Sequence, residues 1–205
     1  MNHREYFNQL ASKWDRMTTG ETRARLPQLI DYLAIKPGDS ILDVGGGTGI
    51  LIPLLYKAAC DGGRIVSLDI AEEMLKQARD NGYPESIHYV QADAAAIPFS
   101  GETFDLVVCY SCFPHFLDKS RALAELARAL RNGGHLAICH TASRQAINNL
   151  HKSIGNMVGN DTIPDEATMR KMLTASELKP LEVIDEPHRY LVIAAKYQEH
   201  KGESV

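Results

Sequence analysis

Residues 40–49, SILDVGGGTG, decide the fold, because a short apolar run ending near an acid leads directly into a glycine-rich loop. The apolar run predicts a buried strand, and residues 48–59 are predicted as a helix. Gly45, Gly47 and Gly49 allow a sharp turn and let a ligand approach main-chain atoms closely. The stretch therefore predicts a strand, a ligand-binding loop and a helix, which together form the first unit of an α/β sheet.

The spacing of the loop glycines separates this loop from two other nucleotide-binding loops. A dinucleotide fingerprint needs Gly or Ala three residues after its second glycine. Counted from Gly45 and Gly47, that position holds Ile50. A Walker loop needs Gly-Lys-Ser/Thr, and no lysine follows the loop before Lys57. The loop therefore does not favour an NAD-dependent oxidoreductase, which stays an alternative function for this chain.

Apolar strands and helices alternate along the rest of the chain. Helices are predicted over 71–82, over 119–134 with closure by Gly133 and Gly134, and from Pro164 onward. Because no helix separates the last two strands, we expect a Rossmann-like, doubly wound, mostly parallel seven-stranded sheet with one antiparallel strand near the C-terminus. The predicted strands after the first are RIVSLDI (64–70), SIHYVQAD (86–93), TFDLVVCYS (103–111), HLAICH (135–140), LEVIDE (181–186) and RYLVIAAKY (189–197).

Two segments lie outside this alternation. Residues 1–36 are predicted as two helices, the second at about 22–33, that form an N-terminal lid or extension before a main domain at 37–205. Residues 141–163 contain no clear strand. We expect them to form a short helix plus loop, inserted above the strand ends.

Composition excludes several classes of protein. The chain has 205 residues, enough for one α/β domain with a modest extension. The formal net charge is −4 with no run of Lys or Arg, so no nucleic-acid partner is expected. No run of about 18 apolar residues occurs, so no membrane span is expected. The cysteines at 60, 109, 112 and 139 are expected to be reduced thiols of a cytoplasmic protein. No feature indicates an oligomeric state.

Taken in order, these motifs resemble the class I S-adenosylmethionine-dependent methyltransferases. The resemblance covers roughly residues 14–195, and it includes the segments FDLVVCYSCFPHF (104–116) and RALRNGGHLAI (128–138). It implies that the main domain is a methyltransferase domain. It also implies S-adenosyl-L-methionine as methyl donor and S-adenosyl-L-homocysteine as product.

The resemblance assigns roles to particular residues. Asp69, at the end of the second strand, would accept hydrogen bonds from both ribose hydroxyls, and Ile70 would pack on the adenine. Asp93, followed by Ala94, would lie near the adenine amino group. Asp43 would contact the loop backbone or the ammonium group of the cofactor. The remaining predicted cofactor-binding residues are Gly45, Gly47, Gly49, Cys109, Tyr6 and Trp14.

The segment YFNQLASKWD (6–15) resembles the beginning of small-molecule methyltransferases related to quinone and arsenite enzymes. In those enzymes an aromatic-rich helix with a Trp-Asp pair lies over the cofactor as a lid, and Tyr6 and Trp14 are the lid candidates here. The alternative is that both belong to a core-facing stripe with Phe7 and Leu10. The resemblance implies a small-molecule methyl acceptor.

Three histidines follow strand ends or lie in the inserted segment. His115 follows the fourth strand, His140 ends the fifth, and His151 lies within 141–163. Ligands bind beyond the carboxyl ends of the strands in such a sheet, so all three are predicted catalytic residues of an acceptor pocket. They could together bind a divalent metal such as Zn²⁺, one could act as a general base, or they could be structural.

The expected reaction is in-line displacement at the sulfonium methyl, for which the enzyme must align donor and acceptor and exclude water. Residues 109–116, CYSCFPHF, lack the Asn/Asp-Pro-Pro-Tyr/Phe signature of adenine and glutamine amino-methylases. Cys109 and Cys112 have C-x-x-C spacing without a second pair, which disfavours a zinc ribbon. A non-catalytic S-adenosylmethionine-binding domain is the other alternative function.

Overall fold

The computed structural model describes residues 1–59 and 62–197. Cys60 and the end of the predicted main domain lie outside these ranges. The helices are α1 His3–Met17, α2 Gly20–Asp31, α3 Ile52–Ala59, α4 Glu72–Asp80, α5 Lys119–Ala129, α6 Arg144–Ile154 and α7 Glu166–Ala175. The strands are β1 Ser40–Val44, β2 Arg64–Asp69, β3 Ile87–Gln91, β4 Phe104–Tyr110, β5 Leu130–His140, β6 Leu178–Glu186 and β7 Arg189–Lys196.

All seven strands form one sheet in the order β3-β2-β1-β4-β5-β7-β6. Strands β1 to β5 pair in parallel, and β7 runs antiparallel to both of its neighbours, β5 and β6. The predicted fold class is confirmed, including the single antiparallel strand near the C-terminus. The chain direction across the sheet reverses between β1 and β4, which is where ligands bind in doubly wound folds.

Apolar cores cover both faces of the sheet, as expected for parallel strands. Successive side chains of β1 point to opposite faces of the sheet. Ile41 packs on the face that carries α2, and Leu42 packs on the face that carries α5. Helix α2 buries Leu26, Leu29 and Ile30 in the first of these cores. The predicted division of the chain between residues 36 and 37 stays a prediction. No helix within the described ranges is long and apolar enough to cross a membrane.

The helix predicted over 119–134 is wrong at its C-terminal end. Helix α5 ends at Ala129, and Leu130 already pairs with Phe104 of β4 before a bulge in the ladder. The Ala-, Leu- and Arg-rich sequence favours continuing the helix, but pairing with β4 prevails. A Cβ on Gly134 would lie 2.9 Å from the Arg131 carbonyl oxygen and 3.0 Å from that of Asp105. This glycine therefore permits close backbone approach in the sheet rather than closing a helix.

Three other predicted boundaries shift for local reasons. The helix predicted from residue 48 begins at Ile52, because Gly49 adopts φ +86° in the preceding turn. The last helix begins after Asp165, whose carboxylate caps it by accepting from the Thr168 N–H at 2.9 Å. Strand β6 begins at Leu178 and contains Pro180, which is tolerated because β6 is an edge strand.

Candidate active site

A cavity of about 370 Å³ opens at the carboxyl ends of β1, β2, β4 and β5. The glycine loop and the ends of β2 and β3 form one side, the turn after β4 and the inserted segment form the other, and α1 covers both. The cavity therefore brings the predicted cofactor residues and histidines together. Those that line it are Tyr6, Trp14, Asp43, Gly45, Gly47, Asp69, Ile70, Asp93, Ala94, His115, His140 and His151.

Gly49 and Cys109 are the predicted cofactor residues that, within the described ranges, do not line this cavity. A Cβ on Gly49 would lie 2.6 Å from the Tyr83 ring, so this glycine serves packing. The Cys109 side chain points from β4 into the apolar core and is fully buried. Its position in the strand turns it away from the site, so neither residue is brought to the cavity wall.

Cys112, the second cysteine of the C-x-x-C pair, supports the glycine loop. Its thiol donates to the Val44 carbonyl oxygen at 3.0 Å, and burial raises the thiol pKa well above its usual value. A Cβ on Gly45 would lie only 2.4 Å from the Cys112 Cβ. Cys112 is therefore a protonated packing partner of the loop, and a thiol in this state is a poor nucleophile or metal ligand.

Asp69 connects the glycine loop to the beginning of α4. One carboxylate oxygen accepts from the Gly47 N–H at 2.9 Å, and the other accepts from the Ala71 N–H at 2.8 Å. Burial raises the Asp69 pKa to about 6, although these hydrogen bonds favour the charged form. Asp69 thus holds the loop in shape at the cavity wall, and its contact with ribose stays a prediction.

Asp43 presents an unpaired oxygen beneath the same loop. A Cβ on Gly46 would lie 2.2 Å from Ser67 Oγ and 2.8 Å from Asp43 Oδ2, so residue 46 must be glycine. Neither of these two oxygens has a hydrogen-bond partner among the residues that the structure describes. Burial, and secondarily the charge of Asp69, raises the Asp43 pKa to about 8. An unpaired carboxyl on a cavity wall fits a cationic ligand group such as an ammonium.

Helix α1 lies against the cofactor loop and α4. Asp15 Oδ1 accepts from the Thr48 hydroxyl at 2.6 Å, and Asn8 Oδ1 accepts from the Glu73 N–H at 3.0 Å. Phe7, Leu10 and Trp14 of the predicted stripe pack with Ile70 around a buried cluster and also line the cavity, whereas Tyr6 lines the cavity without belonging to that cluster. Packing and lining are therefore combined in the same side chains, because one face of α1 meets both. The lid function stays a prediction.

Two of the three predicted histidines form a cluster around Asp161. His115 Nδ1 lies 2.7 Å from Asp161 Oδ2, and His151 Nδ1 lies 2.7 Å from the Asp161 carbonyl oxygen. The His115 and His151 ring centroids are 4.8 Å apart. His3 Nε2 lies 2.8 Å from the same Asp161 Oδ2. Sequence reasoning missed His3 and Asp161, although His3 precedes Phe7 by one helical turn and so continues the stripe of α1.

Burial favours the neutral form of His115. Burial lowers the His115 pKa below its usual value and outweighs the hydrogen bond that His115 donates to Asp161, while His151 lowers the pKa further. Burial would raise the Asp161 pKa, but the hydrogen bonds of His115 and His3 hold it below its usual value. Asp161 is therefore a carboxylate that accepts the His115 Nδ1 proton, which leaves a lone pair on Nε2. An imidazole oriented in this way is suited to general-base chemistry.

His140 differs from the other two. It is buried, and neither ring nitrogen has a partner within the described part of the chain. Burial lowers its pKa to about 3, and His115 and His151 contribute. His140 also lines a second cavity of about 220 Å³ beside Arg25 and His188. It is therefore a weak base with two buried nitrogens that have no partner within the described residues.

The metal hypothesis named His115, His140 and His151. Among the described residues, the donor atoms that lie within 4.8 Å of one another belong instead to His3, His115 and Asp161. Both contacts within that group are at hydrogen-bond length and share one carboxylate oxygen. The arrangement is that of a carboxylate accepting two imidazole N–H bonds.

Comparison with known proteins places these features in a family. A family model described as a methyltransferase domain matches residues 42–138. The ubiquinone/menaquinone biosynthesis C-methyltransferase UbiE of Vibrio campbellii is 31% identical over 200 residues, which cover 82% of this chain and 77% of that protein.

Two solved structures share the fold. A putative methyltransferase of Haloferax volcanii, in complex with a methyltransferase activator, has a TM-score of 0.80 at 19% identity and covers 94% of this chain and 98% of its own. An S-adenosylmethionine-dependent methyltransferase of Aquifex aeolicus has a TM-score of 0.73 at 20% identity, covering 91% and 98%. The Vibrio relative and the matching family model show that this chain belongs to the class I S-adenosylmethionine-dependent methyltransferases that include the UbiE enzymes.

Proposed function

We propose that the enzyme methylates a ring carbon of a hydroxylated aromatic small molecule that carries an apolar substituent, with His115 as general base. One observation carries this proposal: an Asp161-oriented imidazole lies in the same cavity as the cofactor loop. Such a base is needed when the acceptor must lose a proton to become a nucleophile.

The cofactor end of the cavity fits S-adenosylmethionine. Gly47 has φ +56°, and a Cβ there would come no closer than 3.8 Å to any neighbour, the nearest being Trp14 Nε1. The unpaired Asp43 oxygen suits the ammonium group, and Asp69 suits the ribose. When bound, S-adenosylmethionine supplies a methyl group on a positively charged sulfur. The protein must hold the acceptor in line with it and exclude water.

The acceptor end supports an apolar substituent. Ile147 and Val158 line the inner wall, while Met17, Leu117, Leu150 and Ile154 line the cavity although they are 41% to 80% exposed. Exposed large apolar side chains grouped around one opening mark a binding surface for an apolar group. The Vibrio relative is named for ubiquinone and menaquinone, and this name supports an acceptor of the quinol type.

In the proposed reaction, His115 Nε2 accepts the proton of a ring hydroxyl. The oxygen electron pair then raises electron density at the adjacent ring carbon. That carbon forms a bond to the methyl group as the methyl–sulfur bond breaks. The carbon then loses its own hydrogen as a proton, which restores the aromatic ring. The ring oxygen regains the proton held by His115, so the base is restored and the whole reaction releases one proton. His140 could hydrogen-bond a second oxygen of the acceptor through one of its unpaired nitrogens.

We propose a base rather than a divalent metal on His115, His140 and His151. His140 and His151 do not belong to the converging donor group, which in the described part of the chain consists of His3, His115 and Asp161. Unchanged activity after treatment with a chelator would support the base. Loss of activity that one divalent ion restores would support the metal.

The proposed acceptor class can be tested with a matched pair of quinols. We expect the enzyme to transfer labelled methyl from S-adenosylmethionine to a prenylated 1,4-naphthoquinol in which the ring carbon between the prenylated carbon and a hydroxyl-bearing carbon is unsubstituted. NMR should locate the new methyl group on that carbon. The same quinol with that carbon blocked is the control and should remain unmethylated. Methylation of the blocked quinol, or none of either compound by an enzyme that binds S-adenosylmethionine, would contradict the proposal.

Asp43 makes cofactor binding dependent on protonation. Its pKa of about 8 means that it is mostly protonated at pH 7 in the free protein, whereas a bound ammonium group favours the carboxylate. We therefore expect S-adenosylmethionine binding at pH 7 to release up to about one proton. Calorimetry in buffers of different ionisation enthalpy measures this number. An Asp43→Asn variant should bind without that release, and an equal release from the variant would exclude Asp43 as its source.

We also propose a cytoplasmic enzyme that acts on a small molecule rather than a nucleic acid. Cys109, Cys112 and Cys139 are free and buried, which fits a reducing compartment. The formal net charge of −4 gives no attraction for a polyphosphate chain.

A further inference from the structure

We infer that His3 is a positioning residue that makes the orientation of His115 depend on the closed position of α1. The inference rests on the proposed role of His115 as general base. It concerns a histidine of the N-terminal helix that acts on the base through Asp161 rather than on the acceptor.

Three separate parts of the chain meet at one carboxylate oxygen. His3 lies in the first turn of α1, His115 in the turn after β4, and Asp161 in the inserted segment. Asp161 Oδ2 accepts from His3 Nε2 at 2.8 Å and from His115 Nδ1 at 2.7 Å. The three side chains are only 10%, 13% and 12% exposed. Water therefore cannot readily replace the His3 donor, and Asp161 is held from both sides only while α1 is in place.

Helix α1 also touches the base directly. The Phe7 ring meets the His115 ring edge-on, with centroids 5.0 Å apart and an interplanar angle of 65°. His3 and Phe7 therefore lie on one face of the helix and contact the carboxylate and the imidazole respectively. Movement of α1 would remove both restraints at once.

The other end of α1 is attached to the cofactor loop. Asp15 Oδ1 accepts from the Thr48 hydroxyl at 2.6 Å, and Trp14 Nε1 would lie 3.8 Å from a Cβ added to Gly47. His3 and Asp15 are twelve residues apart, or roughly 18 Å along a helix at about 1.5 Å per residue. One rigid helix thus joins the loop that would hold the methyl donor to the carboxylate that orients the base. Closure over the donor would align the base in the same movement.

The titratable groups that act on His115 and Asp161 come from several elements. They are His3 on α1, Lys119 on α5, His140 on β5 and His151 on α6. His3 acts on His115 both through the shared carboxylate and by its own charge, which opposes protonation of His115. Removing His3 should therefore favour protonated His115 and move the acid limb of the kcat profile to higher pH.

The test compares variants of His3 and His115 with the prenylated naphthoquinol as acceptor. We expect His3→Ala to lower kcat about tenfold, move its acid limb to higher pH, and change the S-adenosylmethionine Kd less than about threefold. His3→Gln should recover most of kcat, because its amide can donate to Asp161. In His3→Ala/His115→Gln, the His3 change should add nothing to the loss caused by His115→Gln, as expected for residues that act as a unit.

Controls distinguish this role from a structural one. Arg4→Ala removes an ion pair with Glu72 from the same turn of α1 and should leave kcat and the pH profile unchanged. His3→Phe keeps a ring without the donor and replaces the alanine variant if that one does not fold. Imidazole ¹⁵N NMR, without acceptor, should show Nδ1-protonated His115 in the wild type and a mixture of tautomers in the donor-free variant.

Four results would overturn the inference: an unchanged kcat and acid limb without the His3 donor, a glutamine variant as slow as alanine, additive losses in the double variant, or a His115 tautomer unaffected by His3. In each case an inactive His115→Gln variant leaves the proposed base standing. Full activity of His115→Gln would instead contradict the proposed function itself, so the two failures are distinguishable.

Discussion

Replacing His115 by glutamine is expected to lower kcat by roughly 10²- to 10⁴-fold, the usual contribution of a positioned general base. Glutamine can still donate an N–H to Asp161, so the packing around the carboxylate should survive. It cannot accept the proton of the acceptor hydroxyl at neutral pH. The Kd for S-adenosylmethionine should stay unchanged, because His115 lies in the turn after β4, whereas Asp43, Asp69 and Asp93 lie at or just after the carboxyl ends of β1, β2 and β3.

The measurement is steady-state kinetics on the unblocked quinol, with calorimetric titration of S-adenosylmethionine on the same samples. His88→Gln is the matched control, because His88 is exposed on β3, and it should retain full activity. Wild-type kcat should fall as the pH drops through the His115 pKa, which lies below its usual value because burial disfavours the charged ring. A His115→Gln variant with wild-type kcat would exclude His115 as the base.

The second large effect is expected from Gly47→Val, which should weaken S-adenosylmethionine binding by roughly 100-fold or more, because the loop backbone must approach the ligand closely. The new side chain would enter the cavity toward Trp14, whose Nε1 lies 3.8 Å from the position of the Cβ. The fold should survive, because no neighbouring protein atom lies closer to that position. Strain from φ +56° should cost about 1–2 kcal/mol of the free energy of unfolding.

Gly82→Val is the control for that strain. Gly82 also has positive φ, at +71°, and a Cβ there would meet nothing within 4 Å. Both variants should show similar losses of thermal stability, and only Gly47→Val should lose cofactor binding in calorimetry. If Gly47→Val binds S-adenosylmethionine as well as Gly82→Val does, Gly47 serves the turn alone.

The cofactor half of the site could be predicted from sequence because its determinants are local. Asp43 and the glycines lie within seven consecutive residues that link a strand to a turn, and Asp69 ends the next strand. Each position follows from a backbone requirement, either positive φ in the loop or an acid at a strand end. The predicted contacts with the cofactor itself stay predictions, but nearly all of these residues line one cavity.

Local propensity was misleading where it competed with sheet pairing. The residues after Ala129 continue a helix-forming pattern, yet they pair with β4. The hydrogen bonds that pair Leu130 with β4 depend on a strand that is distant in sequence, so the residues around Leu130 do not predict them. Helix propensity alone therefore gave the wrong boundary.

The acceptor half of the site was decided by tertiary structure. Topology predicted that His115, His140 and His151 would share a pocket, because each follows a strand end or lies in the inserted segment. His3 and Asp161 are 158 residues apart, and no period or motif relates them. Their contact exists because α1 lies across the strand ends and packs against the inserted segment there. Sequence therefore determined the sheet and the cofactor loop, whereas the partners of the proposed base depended on how distant segments pack.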